Sequence, residues 1–203
     1  MSPATTLPYP DPPLAEDGVR LRPWEQRDAA CAVEARACSE QQAREWIDRQ
    51  QQRSAAGEGL SLAIVDDGTD DALGYVGLLF RPQLESGVVR REAAADRPGL
   101  VFKLQPGNVG IGYWVIESAR RRGLASTAVT VLSRWAIRDA GVERIEALTE
   151  PDNLPSHRVA ERAGFRWEGH LRCYLQIDGR GADAVVYALV RGDIDAHTAA
   201  PWD

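Results

Sequence analysis

The segment from Gly110 to Gly141, GIGYWVIESARRRGLASTAVTVLSRWAIRDAG, carries the clearest structural pattern in the chain. Its beginning, Ile111 to Ile116, is rich in β-branched and aromatic residues and predicts a strand. The later part carries apolar side chains three or four residues apart, the spacing of one buried helix face. These apolar residues are Leu124, Ala128, Val131, Leu132, Trp135 and Ala136. Gly141 suits the left-handed conformation in which many helices end. The whole stretch therefore predicts a strand, a loop and an amphipathic helix.

The predicted loop contains three arginines and a glycine: Arg120-Arg121-Arg122-Gly123-Leu124-Ala125-Ser126. A helix begins with backbone N–H groups that have no acceptor inside the helix. Those donors and the positive end of the helix dipole attract an anion, most naturally a phosphate. The loop therefore predicts a phosphate site, although a run of arginines is also typical of a solvated surface.

A second pattern follows the predicted strand Val142 to Thr149 and begins Asn153-Leu-Pro-Ser156. Pro155 favours the first turn of a helix. Gly164 suits the end of that helix, and Phe165 begins the next strand. Asn153 to Phe165 therefore predicts a short helix between two strands.

These two segments resemble the acetyl-CoA site of the GNAT N-acetyltransferases. The family's loop pattern, Arg/Gln-x-x-Gly-x-Gly/Ala, is matched by Arg120, Gly123 and Ala125, while Arg121 stands where many members have Gly. Ser156 stands where the Rim-type (RimJ/RimL-like) branch carries Ser. The resemblance covers about residues 19–193 apart from an insertion. It implies an α/β (α+β) fold: a mixed, mostly antiparallel twisted sheet flanked by helices, with splayed central strands.

The resemblance also implies acetyl-CoA as co-substrate and a set of residues that bind it. Backbone N–H groups on the central strand would meet the pantetheine arm and the thioester carbonyl, and those of the loop would meet the pyrophosphate. Asn153 would bind CoA or cap its helix. The implied CoA-binding residues are Tyr113, Trp114, Val115, Arg120, Arg121, Arg122, Gly123, Leu124, Ala125, Ser126 and Asn153.

Acyl transfer also needs a proton for the leaving thiolate. Many family members use a Tyr seven residues after the Asn, but Ala160 stands there, so tyrosine acid chemistry at that position is excluded. The resemblance implies that Ser156 donates to the CoA sulfur, whereas the alternative is a helix residue that satisfies backbone groups. The general base stays open, because Leu175 stands where some Rim-type enzymes have a carboxylate. The remaining base candidates are Glu146, Glu150, His157 and Tyr174, each expected to be structural or solvated.

The rest of the chain predicts one domain over 18–203, after a flexible Pro-rich tail at 1–17. Leu60 to Val65 and Leu73 to Phe80 predict two strands, and the Asp-rich segment between them predicts a solvated hairpin turn rather than a metal loop. An insertion around 82–108 is either a surface loop or a lid or dimer element.

Composition narrows the class of protein. The chain has 203 residues, 44% hydrophobic and 27% charged, which is typical of a soluble domain. A net charge of −6 argues against a nucleic-acid binder. No run reaches the roughly 18 apolar residues of a membrane helix, and the N-terminus does not resemble a signal peptide. The three cysteines form neither a disulfide framework nor a zinc pattern. We therefore expect a cytoplasmic protein, and high Ala and Arg usage suggests a bacterial genome.

Together these features predict an N-acetyltransferase that moves an acetyl group from acetyl-CoA to a primary amine by direct attack in a ternary complex. The acceptor is either the N-terminus of a protein or peptide, or a small amine such as an antibiotic. No metal, nucleic-acid or membrane partner is expected, and a homodimer is allowed. Two alternatives are a CoA-binding sensor or scaffold without turnover and a transferase of a longer acyl group such as succinyl.

Overall fold

One mixed sheet organises the chain in the computed structural model, which describes residues 7–80, 88–90, 101–103, 109–177 and 179–198. The described strands are β1 Leu14–Glu16, β2 Val19–Pro23, β3 Gly59–Asp66, β4 Ala72–Leu79, β5 Val88–Arg90, β6 Val101–Lys103, β7 Val109–Val115, β8 Arg144–Thr149, β9 Arg166–Ile177 and β10 Arg180–Val190. These ten strands pair in the order β1-β2-β3-β4-β7-β8-β10-β9-β6-β5. The helices are α1 Ala29–Arg36, α2 Glu40–Ala55, α3 Leu124–Arg138, α4 Leu154–Arg162 and α5 Arg191–Thr198.

The neighbouring strands β7 and β8 run parallel, whereas the other described pairs are antiparallel. In the described chain, β7 and β8 pair at Val109↔Ile145 and Gly110↔Glu146 and not beyond. From there β7 continues on β4 and β8 continues on β10, so the two strands diverge. The predicted α/β fold, with a mostly antiparallel sheet, flanking helices and splayed central strands, is confirmed.

The central helix, α3, forms because its apolar residues recur three or four positions apart and so line one buried face. Ala128, Val129, Leu132, Ala136 and Ile137 of α3 are fully buried and belong to the hydrophobic core. Burial of such a stripe supplies most of the stability of a helix this short. The predicted strand, loop and helix of the central stretch are therefore all present.

Of the first two helices, α2 begins with a side-chain cap, whereas α1 does not. Ser39 and Gln42 form a reciprocal capping box at the start of α2. Asp28 precedes α1, but its side chain does not cap that helix. Its carboxylate instead accepts from both terminal nitrogens of buried Arg22, at 2.7 and 2.9 Å. The buried cation takes the carboxylate because an unpaired buried charge costs more than an uncapped helix end.

The N-terminal segment differs from the expected flexible tail from residue 7 onward. Leu7 is only 5% exposed, and its carbonyl accepts a hydrogen bond from Ser54 Oγ at 3.0 Å. β1 then pairs with β2 from Leu14↔Leu21 to Glu16↔Val19. Prolines keep a chain extended, but they do not prevent its apolar side chains from docking.

The Asp-rich turn between β3 and β4 is present, but part of it is tied down rather than solvated. The carboxylate of Asp70 contacts Arg20 at 2.7 Å, Arg22 at 2.9 Å, and Arg27. These contacts, with that of Arg22 foremost, lower the pKa of Asp70 from 3.8 to about 2. The turn is therefore fastened to β2 and to the 3₁₀ turn Gln26–Asp28.

The insertion contributes short strands to the sheet. The short strand β6 pairs with β9 at Val101↔Gln176. The rest of the insertion, at 81–87, 91–100 and 104–108, lies outside the described residues.

Among the described residues, no group of three or more His, Cys, Asp or Glu side chains is placed to hold a metal ion. No described helix has the length and apolar character needed to cross a membrane.

Candidate active site

A wedge-shaped gap opens between β7 and β8 beyond Gly110. One edge of β7 pairs with β4, from Leu79↔Gly110 to Gly74↔Val115. The other edge, over 111–115, therefore turns its backbone groups toward the gap. A strand edge that is open inside a folded domain is available for pairing with a ligand. The predicted residues Tyr113, Trp114 and Val115 all lie on this open part of β7.

The side chain of Tyr113 lies on the α4 side of the sheet and contacts Ser156. Its hydroxyl donates to the Ser156 carbonyl at 3.0 Å and lies 2.9 Å from the Ser156 Oγ. Because both partners belong to one residue, a single phenol fixes the first turn of α4 against the central strand. Ser156 is partly buried there.

The first turn of α4 owes its geometry to Asn153. Asn153 is the N-cap residue, and its Oδ1 accepts from the Ser156 N–H at 3.2 Å. Pro155 occupies the first turn, where its missing N–H costs no hydrogen bond. Of the two alternatives for Asn153, the structure thus shows the cap, and its exposed side chain retains an amide group that can donate elsewhere.

The arginine loop leads into α3 through two left-handed residues. Arg121 has φ 64° and Gly123 has φ 83°. A Cβ added at Gly123 would meet no described atom within 4 Å, so the space in front of the helix is open. The N–H groups at the start of α3 point toward this space because no turn of helix precedes them. Ser126, which is also in the predicted set, instead donates its Oγ to the Gly123 carbonyl at 2.8 Å.

Of the three arginines, Arg122 is held by a second loop. Its guanidinium lies 3.2 Å from Asp66 Oδ2, at the end of β3. Asp66 Oδ1 accepts from the backbone N–H groups of Gly68 and Thr69, at 3.0 and 3.3 Å. These backbone bonds, followed by Arg122, lower the pKa of Asp66. The loop of α3 and the turn of β3 therefore carry opposite charges side by side.

The opposite face of β7 carries an aromatic cluster, defined here as Trp24, Trp46, Tyr75 and Trp114. The Tyr75 and Trp114 rings stack with centroids 6.0 Å apart, and Trp24 meets Trp46 edge to face at 5.0 Å. Trp46 is only 4% exposed and belongs to the core, while Trp114 is partly exposed. Together α2, β4, β7 and the residue that follows β2 form an aromatic wall on the side of the sheet away from Ser156.

The structure places two of the four candidate bases, His157 and Glu146, in other contacts. His157 Nε2 lies 3.0 Å from the Glu150 carbonyl and must carry a proton to bond it. Its Nδ1 lies 3.3 Å from the Tyr187 hydroxyl, which donates to Glu161. Burial, followed by the bond to Glu161, raises the pKa of Tyr187. Glu146 pairs with Arg144 at 2.9 Å. His157 therefore faces β10, whereas Ser156 faces β7.

The hydroxyl of Tyr113 is a candidate functional group that the sequence analysis did not identify. Only the backbone of Tyr113 was expected at the site. Its side chain could have been assigned to the Ser156 side from alternation, because Trp114 packs with the aromatic cluster and successive strand residues face opposite ways. Its partner could not be predicted, because Ser156 lies 43 residues further along the chain and no local pattern links the two residues.

Comparisons with known proteins agree with this geometry. The family model of the acetyltransferase (GNAT) domain matches residues 18–166. The uncharacterized N-acetyltransferase p20 of Bacillus licheniformis is 27% identical over 150 residues, which is 74% of this chain and 72% of p20. The ribosomal protein uS5-alanine N-acetyltransferase of Escherichia coli is 35% identical over 83 residues, which is 41% of this chain but only 43% of that enzyme.

Solved structures show the same fold. A ribosomal-protein-S5-alanine acetyltransferase from Vibrio fischeri superimposes with a TM-score of 0.66 at 17% identity, covering 89% of this chain and 97% of that one. At this identity the likeness speaks for the fold alone. The family model, which spans most of the chain, carries the assignment: the chain belongs to the GNAT acetyltransferase family.

Proposed function

We propose that this chain is an acetyl-CoA-dependent N-acetyltransferase that acts by direct attack of a primary amine in a ternary complex. The observation that carries the proposal is the gap between β7 and β8, which opens beyond Gly110. This part of the fold contains the open edge of β7, the start of α3, which attracts anions, and the paired hydroxyls of Tyr113 and Ser156. These are the groups that a thioester with a pyrophosphate arm requires.

Each part of the donor has a matching group in the chain. The N–H groups from Arg120 to Ser126 would hold the pyrophosphate, and Arg120 and Arg122 would add charge. The open edge of β7 at Tyr113, Trp114 and Val115 would hold the pantetheine arm and orient N–H donors toward the thioester carbonyl. Ser156 would donate a hydrogen bond to the sulfur, and Asn153 would keep Ser156 in place.

The names of the relatives favour an N-terminal amine as the acceptor. The matched Escherichia coli enzyme is named for the alanine of ribosomal protein uS5, so a peptide N-terminus leads the candidates. Small amines are the second candidate, because a relative from Klebsiella aerogenes, 28% identical over 165 residues, is named an aminoglycoside acetyltransferase. The aromatic cluster would form part of the acceptor wall. We propose a cytoplasmic enzyme that needs neither a metal, a nucleic acid nor a membrane and that can form a homodimer.

The test combines acetyl-CoA binding by calorimetry with thiol release in the presence of amines. The panel contains peptides that begin with Ala, free amino acids, polyamines and an aminoglycoside. Saturable thiol release with one acceptor class supports the enzyme and names that class. Binding without release on the whole panel would favour a CoA sensor instead. Succinyl-CoA tested on the same acceptor shows whether a longer acyl group is preferred.

A further inference from the structure

The geometry points to Tyr113 as the residue that supplies Ser156 with its proton: we propose a two-hydroxyl relay, Tyr113 to Ser156, that serves the leaving thiolate. The inference rests on the proposed function and adds to it a tyrosine from the central strand. It starts from two contacts of one phenol, at 3.0 Å to the Ser156 carbonyl and 2.9 Å to the Ser156 Oγ.

Those two contacts allow two arrangements of hydrogen atoms with the same heavy-atom positions. A carbonyl only accepts, so a phenol that donates to it must accept from the Ser156 hydroxyl. If the phenol instead donates to Ser156 Oγ, the serine proton is free to point elsewhere. The change between the two arrangements needs only rotation of hydroxyl hydrogens, because the two acceptors lie within 3.0 Å of the phenol.

The second arrangement suits a negative charge that develops on sulfur. As the acceptor nitrogen forms its bond to the acetyl carbon, the carbon–sulfur bond breaks and the sulfur leaves with the electron pair. Ser156 gives its proton to that sulfur and takes the proton of Tyr113. The tyrosinate regains a proton from solvent, which receives one from the acylated nitrogen. The overall change is amine plus thioester to amide plus thiol.

Acidity explains why a phenol is useful behind the serine. An ordinary tyrosine has a pKa near 10 and a thiol a pKa near 8.5, so a proton passed from phenol to thiolate moves uphill by only about 1.5 pKa units. An aliphatic hydroxyl alone is a much weaker acid than either. Tyr113 thus supplies the acidity, while Ser156 supplies the contact to the sulfur. Because it acts through Ser156, Tyr113 is a positioning residue in this scheme.

The chain contains a matched control for the loss of such a phenol. Tyr187 is a second tyrosine, more deeply buried than Tyr113, and its hydroxyl contacts α4 at His157 and Glu161. It does so from β10, so it fastens the same helix without contacting Ser156. Tyr113→Phe and Tyr187→Phe should each unfold at a slightly lower urea concentration than the wild type. Only the first should change the chemistry at Ser156.

The first experiment is a double-mutant cycle on kcat with Tyr113→Phe, Ser156→Ala and the double variant, using the acceptor that the panel identifies. We expect each single variant to lower kcat about tenfold or more, with KM for acetyl-CoA little changed. In the Ser156→Ala protein, the added Tyr113→Phe change should have no further effect, since the relay is already broken. Additive losses, or equal losses in Tyr113→Phe and Tyr187→Phe, would overturn the relay.

A second readout needs no turnover. Calorimetry compares CoA with desulfo-CoA, which lacks the thiol, between about pH 7 and about pH 9, where a thiol ionises. The wild-type protein and Tyr187→Phe should favour CoA increasingly as pH rises, because the relay donates to the thiolate. Tyr113→Phe and Ser156→Ala should show a several-fold smaller gain. An equal gain in all four proteins contradicts the relay, whereas failure of the wild type to bind either ligand contradicts the proposed function itself.

Discussion

At the residue scale, the loop before α3 contains a conformation that its side chain does not favour. Arg121 adopts φ 64°, in the left-handed region where a side chain costs about 1–2 kcal/mol. The resemblance located this position, because many relatives have Gly there. It did not reveal that the backbone keeps the left-handed form when Arg replaces Gly. The surrounding loop, which must deliver Gly123 to the start of α3, imposes that form.

We predict that Arg121→Gly raises the free energy of unfolding by about 0.5–1 kcal/mol. Relief of the left-handed strain exceeds the entropy that glycine adds to the unfolded chain. Arg120→Gly is the matched control: it removes the same charge from a residue with φ −65°, so it should be neutral or destabilising. Urea unfolding measures both variants. A less stable Arg121→Gly protein would show that the side chain contributes more than the strain costs.

Among the elements, the loop before α3 was predicted correctly, whereas the ion pairs of the Asp-rich turn between β3 and β4 were not predicted. The strand, loop and helix of the central stretch follow from periodicity and glycine placement, which are local signals. The ion pairs of the Asp-rich turn join residues about 50 positions apart, such as Arg20 and Asp70, and no local pattern encodes them. The Tyr113–Ser156 contact was missed for the same reason.

The Asp-rich turn gives a pH prediction. The pKa of Asp70 is lowered from 3.8 to about 2 in the folded protein, chiefly by Arg22. A lowered folded pKa means that its stabilisation is complete above 3.8 and is lost as pH falls toward about 2. Asp70→Asn should therefore be less stable at pH 5 and show a shallower fall of stability in acid. Chemical denaturation at stepped pH measures it, and identical slopes in both proteins would exclude this role for Asp70.

The arginine loop gives a binding prediction. Gly123→Glu places a carboxylate in the open space before α3, where it would repel a pyrophosphate, so acetyl-CoA affinity should fall about a hundredfold or more. Gly141→Glu is the matched control, because Gly141 also has a positive φ of 76° and open space around its Cβ, at the other end of α3. It should carry the same strain and charge without loss of binding. Equal affinities in the two variants, measured by calorimetry, would refute the loop assignment.

At the scale of the whole molecule, the family and its sheet were predictable, but the extent of the folded body was not. Proline content favoured a loose tail, whereas Leu7 is buried and β1 extends the sheet edge. Composition describes the average behaviour of a segment, while one apolar side chain decides whether it docks. The same limit applied to the acceptor, because the proposed acceptor wall is built from separate segments that meet in the aromatic cluster.

Docking of the N-terminal segment predicts a cost for Leu7→Ala. Leu7 is 5% exposed and belongs to the core cluster, so its truncation should cost about 2–3 kcal/mol of stability. Leu154→Ala makes the same chemical change at a leucine that is 57% exposed, and should stay within about 0.5 kcal/mol of wild type. Thermal and urea unfolding compare the two. Equal stabilities of the Leu7→Ala and Leu154→Ala proteins would show that the N-terminal segment is not docked on the core.

Mass spectrometry of the acceptor panel, after incubation with acetyl-CoA and the wild-type protein, tests acetyl transfer itself. We predict that one acceptor class gains a single acetyl group on its primary amine, with one free thiol released for each amide formed. A protein that binds acetyl-CoA but leaves every amine unmodified would contradict acetyl transfer. A protein that does not bind acetyl-CoA would contradict the assignment of the gap between β7 and β8 as well.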